Sequence, residues 1–258
     1  MTDGVFAPTI KGMNKSPDCL AGNTILITGG ARRLGKVMAL AAAAKGADII
    51  LHHAHSPVEA QETADEIRAL GRQVWILKAN LLDSAEVQSL ISSAFDLAPV
   101  NALINNAAIF KQVNMANTTI TDWNEHLQIN LTAPFLLSQV FAVRYQSENV
   151  GRIINILDWR AFRPGKDHFP YTISKSALAS LTKTLALSLA PGITVNGIAL
   201  GAILPPGDED FSADLIKNVP MKRWAKLEEL GDLVTYLLSA PSYITGEIIH
   251  LDGGRHLS

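Results

Sequence analysis

Seven short apolar runs, separated by six longer amphipathic stretches, follow one another from Asn23 to the end of this 258-residue chain. Strand-length apolar runs that alternate with helix-length patterns bury both faces of a sheet most simply by repeating a βαβ unit, which makes the sheet parallel. The runs are Thr24 to Thr28, Asp48 to His52, Gln73 to Lys78, Ala102 to Asn105, Gly151 to Leu157, Ile193 to Ile198 and Glu247 to Leu251. Helical periodicity covers Leu34 to Lys45, Val58 to Leu70, Ser84 to Asp96, Ile120 to Gln146, Tyr171 to Leu189 and Leu227 to Leu238. The expected fold is therefore α/β: one doubly wound domain over residues 23–258, with a seven-stranded parallel sheet and helices on both faces. Right-handed crossovers bring all strand C-terminal ends to one edge, where such sheets bind their ligands.

Two segments interrupt the alternation. Residues 1–22 read as a flexible extension. The stretch "GAILPPGDEDFSADLIKNVPMKRWAK" clusters Pro, Gly and acidic residues, so residues 202–226 read as a loop over the substrate. A formal charge of -2 supplies no positive footprint for phosphate backbones, which argues against a nucleic-acid partner. The single cysteine, Cys19, cannot close an internal disulfide. The first twenty residues lack the apolar core of a signal peptide, and no run of about 18 apolar residues could span a bilayer. These features predict a soluble cytoplasmic protein with no membrane partner, and no metal site is expected.

The first run leads through "TGGARRLG", Thr28 to Gly35, into an Ala-rich helix pattern. Strand, glycine turn and helix N-terminus together make an anion site, because free N–H groups point at a phosphate that the glycines let approach. A turn that merely needs positive φ is the alternative. Arg32 and Arg33 favour the anion, since adjacent guanidiniums are costly without a counter-charge. The second run ends "LHHAHS", with no acid placed to grip a ribose 2′-hydroxyl; Asp48 stands at its start. His53, His55 and Ser56 offer donors that with Arg32 suit a 2′-phosphate, so NADPH is expected over NADH. Three solvated histidines on a surface turn are the alternative.

Tyr171 and Lys175 in "YTISK" are four apart, so on a helix they share a face. A nearby ammonium is expected to lower the phenol's pKa toward neutrality. With "TGGARRLG", "NNAA" at Asn105 to Ala108, Asn130 in "LQINLTAPF" and the closing "LDGG", this chain resembles the short-chain dehydrogenase/reductase family from Asn23 onward. The resemblance implies a Rossmann-type fold and hydride transfer from a nicotinamide. Tyr171 becomes the acid/base, Lys175 the group holding the nicotinamide ribose, and Asn130 the support of a proton-relay water. Further cofactor contacts implied are Gly29, Leu34, Asn80, Leu81, Asn106, Ala107 and Ala108, with Gly201 and Ile203 toward the carboxamide. Family members are commonly homotetramers.

The departures from the family pattern narrow the substrate. Thirteen residues before Tyr171, where most members carry a serine that holds a carbonyl oxygen, stands Asp158. An ionised carboxylate only accepts hydrogen bonds, so it repels a ketone oxygen and suits a substrate with N–H donors or a C=N bond awaiting a proton. Within the family this resembles the pteridine and dihydromonapterin reductases. The resemblance places Arg33 on both cofactor phosphate and pterin, and Phe110 of "NNAAIF" on the pterin face; a core or lid phenylalanine is the other reading. The expected substrate is a dihydropterin or folate-type ring held by Arg33, Phe110, Asp158 and Tyr171. A carbonyl or acyl-carrier thioester reductase and a non-catalytic NADP-binding regulator are the competing readings. For Asp158 to act as an acid, burial has to raise its pKa against the lowering influences of Lys175 and Arg33, a balance that the sequence leaves open.

Overall fold

The computed structural model describes residues 18–204 and 213–258. Strands β1 (Thr24–Ile27), β2 (Asp48–His53), β3 (Val74–Lys78), β4 (Val100–Asn105), β5 (Gly151–Asp158), β6 (Ile193–Leu200) and β7 (Ile248–Leu251) form one sheet in the order β3-β2-β1-β4-β5-β6-β7. Every neighbouring pair is parallel. The doubly wound, seven-stranded expectation holds. The chain winds from β1 outward through β2 to β3, then returns to place β4 on the other side of β1, so the crevice between the two halves opens beyond β1 and β4.

Side chains alternate faces along each strand, and the core divides accordingly. Ile25, Ile27, Ile49 and Leu51 pack with Met38 and Ala42 of α1 (Arg33–Ala43), Ile67 of α2 (Pro57–Ala69) and Val234 of α8 (Leu227–Ser239). Leu26, Ile50, Leu103 and Val195 face the opposite layer. There they meet Ile91 of α3 (Ser84–Leu97), Phe141 of α5 (Ala133–Arg144) and Leu185 of α6 (Phe169–Leu189). At about 1.5–3 kcal/mol for each fully buried large apolar side chain, the two layers supply most of the favourable folding energy. Central β1 is buried throughout, whereas edge strands β3 and β7 are only half-buried.

Three sequence expectations need correction. The helix expected over Ile120 to Gln146 is α4 (Ile120–Leu127), a five-residue π-helical segment (Gln128–Thr132) and α5. Pro134 has no N–H to give the Asn130 carbonyl, so the i→i−4 ladder cannot run through this point, and the turn widens where Asn130 sits. The flexible extension fails for residues 18–22: Leu20 is 2% exposed in the core and its N–H donates to the Lys45 carbonyl at 2.9 Å. Residues 1–17 of that extension lie outside the described residues. The loop expected over 202–226 carries a short helix, α7 (Ala213–Ile216), and its 205–212 portion lies outside the described residues.

Among the described residues no helix is long and apolar enough to cross a membrane.

Candidate active site

The glycine turn is fixed by contacts from three strands. Gly29 adopts φ +62, and its N–H donates to His52 Nδ1 at 3.1 Å. His52 Nε2 faces the Ala79 carbonyl at 3.1 Å, so the buried ring spans the ends of β1, β2 and β3 as the neutral Nε2–H tautomer. Burial lowers its pKa to about 4, which keeps that tautomer neutral. Asn106 donates from Nδ2 to the carbonyls of Thr28 (2.8 Å) and Gly29 (3.1 Å), while Thr28 Oγ1 accepts from the N–H groups of Asn106 and Ala107. A Cβ at Gly35 would stand 1.9 Å from the Gly29 carbonyl oxygen, so helix α1 can meet the turn only through glycine. Arg33 holds φ +52, a left-handed conformation costly for a side chain with a Cβ, beside exposed Arg32 and half-buried Leu34.

This cradle suits a dinucleotide. His53, at the end of β2, is 6% exposed and its Nδ1 is buried with no hydrogen-bond partner among the described residues, which leaves one hydrogen-bonding atom for a ligand group there. His55 is exposed and Ser56 half-buried just beyond it. Asp48 is engaged at the far end of the strand, accepting from Arg72 Nη2 at 2.7 Å and from the Gln73 N–H at 2.9 Å. Asn80 accepts the Leu82 N–H at 3.1 Å and gives its own N–H to Glu86 at 2.7 Å, with Leu81 buried beside it. Gly201 follows β6 and donates to the Leu251 carbonyl at 3.0 Å; Ile203 is buried. Ala108 lies in the loop leaving β4.

Beyond β5 and at the start of α6, Asp158, Tyr171 and Lys175 come together. The Tyr171 hydroxyl donates to Asp158 Oδ2 at 3.1 Å, and Asp158 Oδ1 accepts the Arg160 N–H at 2.8 Å. Burial raises the pKa of Asp158, opposed by the Arg160 N–H and guanidinium, the Tyr171 hydroxyl and Lys175. The expected lowering by Arg33 is thus exerted by Arg160 instead. The expectation for Tyr171 also reverses: burial and then the Asp158 charge raise its pKa well above the ordinary phenol value. Lys175 does not offset this, because its Nζ donates to the Ile156 carbonyl at 2.7 Å, and burial brings its own pKa down to about 8.

Asn130 accepts the Ile109 N–H at 2.9 Å and donates from Nδ2 to the Ile109 carbonyl (3.1 Å) and Ser174 Oγ (3.0 Å). It therefore ties the loop after β4 to the helix carrying Tyr171. The same loop presents Phe110, 40% exposed and packed T-shaped with Tyr171, ring centroids 4.7 Å apart. One face of Phe110 is covered by His168, stacked at 3.9 Å with 13° between the planes.

Four residues here escaped sequence reasoning. Thr28 and His52 position the turn, His168 backs Phe110, and Arg160 joins the carboxylates: its Nη1 lies 3.9 Å from Asp158 and its Nη2 donates to Asp167 at 3.3 Å. The Nε of Arg160 is buried without a hydrogen-bond partner among the described residues, and the guanidinium lies 5.6 Å from the centre of the Phe110 ring. The one sequence signal for Arg160 was a cation two residues after Asp158.

A doubly wound sheet with a glycine turn after β1 and a Tyr–Lys helix turn beside β5 defines an oxidoreductase of the dinucleotide-fold class. A family model described as Enoyl-(Acyl carrier protein) reductase matches residues 29–256, and the chain belongs to the short-chain dehydrogenase/reductase family. A 3-oxoacyl-[acyl-carrier-protein] reductase of Synechocystis sp. is 31% identical over 240 residues, covering 91% of this chain and 97% of that protein. The crystal structure of FolM alternative dihydrofolate reductase 1 from Brucella canis, complexed with NADP, is similar with a TM-score of 0.85 and 34% identity, over 93% of this chain and 96% of that chain. The Brucella suis FolM structure, in complex with NADP, gives a TM-score of 0.86 and 33% identity over 93% and 97%.

Proposed function

We propose that this chain is an NADPH-dependent reductase that delivers hydride to the C=N bond of a dihydropterin or dihydrofolate-type ring, giving the tetrahydro form. The observation that carries this reading is Asp158, a half-buried carboxylate hydrogen-bonded to Tyr171 where a carbonyl reductase needs a hydroxyl donor. The likeness to the two FolM structures supports it independently.

The turn Gly29 to Leu34, with Asn106, Ala107 and Ala108, would hold the dinucleotide, and His53, His55, Ser56 and Arg32 its 2′-phosphate. Asn80 and Leu81 would border the adenine; Gly201 and Ile203 would orient the carboxamide. The cofactor supplies the hydride. The remaining work falls to this chain's side chains. The exposed side of Phe110, backed by His168, forms an apolar wall for a flat ring, and Arg33 lies at the glycine turn to meet its polar rim. Asp158 accepts ring N–H groups, which a hydroxyl does less well. Reduction of C=N consumes one proton at nitrogen, and the Asp158–Tyr171 pair supplies it: a proton leaving either group is replaced along the hydrogen bond between them, then from solvent. Lys175 would hold the ribose and Asn130 would support a relay water, while Asn130 anchors the loop bearing Phe110.

A second reading, reduction of a 3-oxoacyl thioester, rests on the Synechocystis relative. The two are separated by following NADPH oxidation with dihydrobiopterin, dihydrofolate and a ketone and acyl-thioester panel in parallel. Turnover of the thioester or ketones above that of both pteridines would overturn the pteridine reading.

A further inference from the structure

Next to Asp158 the surface holds a cavity of about 680 Å³ whose lining includes Trp159, Arg163, Lys217, Lys222 and Arg255 and, among the described residues, no Asp or Glu side chain. The volume suits part of a small organic ligand. Among the described residues none of the four cations is in a salt bridge; Asp158 and Asp167 are engaged with Arg160, and Asp252 with His256. Asp208, Glu209 and Asp210 fall outside the described residues. Arg163, Lys217 and Lys222 are exposed and Arg255 is half-buried, and backbone contacts hold them around the cavity. Lys222 adopts φ +54 and donates to the Lys217 carbonyl at 2.7 Å; Arg163 Nη1 reaches the Arg255 carbonyl at 3.4 Å; the Met221 N–H is tied to the Gly253 carbonyl at 3.2 Å.

Trp159, which lines the cavity, directly follows Asp158 in the chain. Its indole lies between two guanidiniums, Arg255 at 4.5 Å and Arg160 at 4.8 Å from the ring. Arg255 lies close enough to feel the charges of Arg160 and of the carboxylates Asp158, Asp167 and Asp252. A ligand with its ring edge on Asp158 and an oxyanion among Arg163, Lys217, Lys222 and Arg255 would satisfy both ends. We propose that this cavity is an oxyanion subsite for a carboxylate or phosphate tail on the ring substrate. The proposal deepens the pteridine reading and rests on it.

The test uses the NADPH-loaded protein with three dihydropteridines: dihydrobiopterin, whose side chain is neutral, dihydrofolate, whose tail carries carboxylates, and dihydroneopterin monophosphate. At least one tailed substrate should exceed the neutral one in kcat/KM by about tenfold, the order expected of a few exposed charge-assisted contacts. The variant Arg163→Gln/Lys217→Gln should remove that advantage and leave dihydrobiopterin within about twofold of wild type. Which tail loses most identifies the source of the oxyanion. No preference for either tail, or equal losses on all three substrates, overturns the subsite. If no pteridine is turned over at all, the reaction assigned above fails, and the subsite is then judged by calorimetry on NADP-saturated protein with p-aminobenzoylglutamate and inorganic phosphate as probes. Binding of either probe that the double variant abolishes sustains the subsite. Absence of binding by both, or binding unchanged in the variant, removes it.

Discussion

The Tyr171 hydroxyl donates to the Asp158 carboxylate at 3.1 Å, and each group pushes the other's titration: the carboxylate raises the phenol, and the phenol's hydrogen bond restrains the rise that burial imposes on the acid. The two residues therefore act as one proton-holding unit, and their titrations belong to the pair.

Replacing Asp158 by serine separates substrate from cofactor effects. Asp158→Ser is expected to lower kcat/KM for dihydropterin by about a hundredfold or more, the scale of a lost acid/base contribution, with the NADPH Kd within about threefold of wild type. The alkaline limb of its pH–rate profile should also move to lower pH, because a charge that raises Tyr171 is gone. Steady-state kinetics and cofactor fluorescence titration check the two halves separately; equal loss of turnover and cofactor binding would remove Asp158 from the reaction.

Arg160 tunes the same pair from the other side. Its guanidinium lowers both Asp158 and Tyr171, so Arg160→Gln leaves each higher than before. Both limbs of the kcat profile are expected to shift toward higher pH. An unmoved profile with reduced folding stability would mean that the residue only packs.

Why Arg160 and the reversed Tyr171 shift were hidden, while the fold was not, has a physical cause. Strand and helix periodicity are local properties, so β1 to β7 fall within or beside the apolar runs that mark them. The charge nearest Tyr171 along a helix is Lys175, but the chain folds the β5 end back so that Asp158 reaches the phenol, and the ammonium is drawn to the Ile156 carbonyl. Leu20 shows the same limit: a lone leucine in a polar segment carries no period, and only the Lys45 carbonyl and the core around it reveal an anchor. The break after Leu127 was readable from Pro134, yet apolar spacing continues across a single widened turn and masks it.

That widened turn gives a stability prediction. Asn130 is fully buried and satisfies both backbone polar groups of Ile109. Asn130→Ala leaves those groups and Ser174 short of a partner, at a cost of about 3 kcal/mol. Urea unfolding should show the loss, and the Phe110 loop should gain amide exchange ahead of the rest of the sheet edge. A variant as stable as wild type would mean that water replaces the side chain and that the loop is not held by it.

His52 ties cofactor-turn geometry to pH. Its folded-state pKa lies near 4 against an ordinary 6.5, so the native state excludes the proton that the unfolded chain accepts. The contribution of His52 to stability is thus fully present above about pH 6.5 and is lost as the pH falls toward 4, amounting to about 2 kcal/mol by about pH 5. His52→Gln cannot take up that proton, and its amide can still meet the Gly29 N–H. Urea titrations of the cofactor-free wild type and variant from neutral pH downward are therefore expected to converge, the wild type losing stability more steeply. Parallel curves would place the acid sensitivity of the fold elsewhere, and a variant that is weaker by the same amount at every pH would leave His52 a structural bridge without a titrating role.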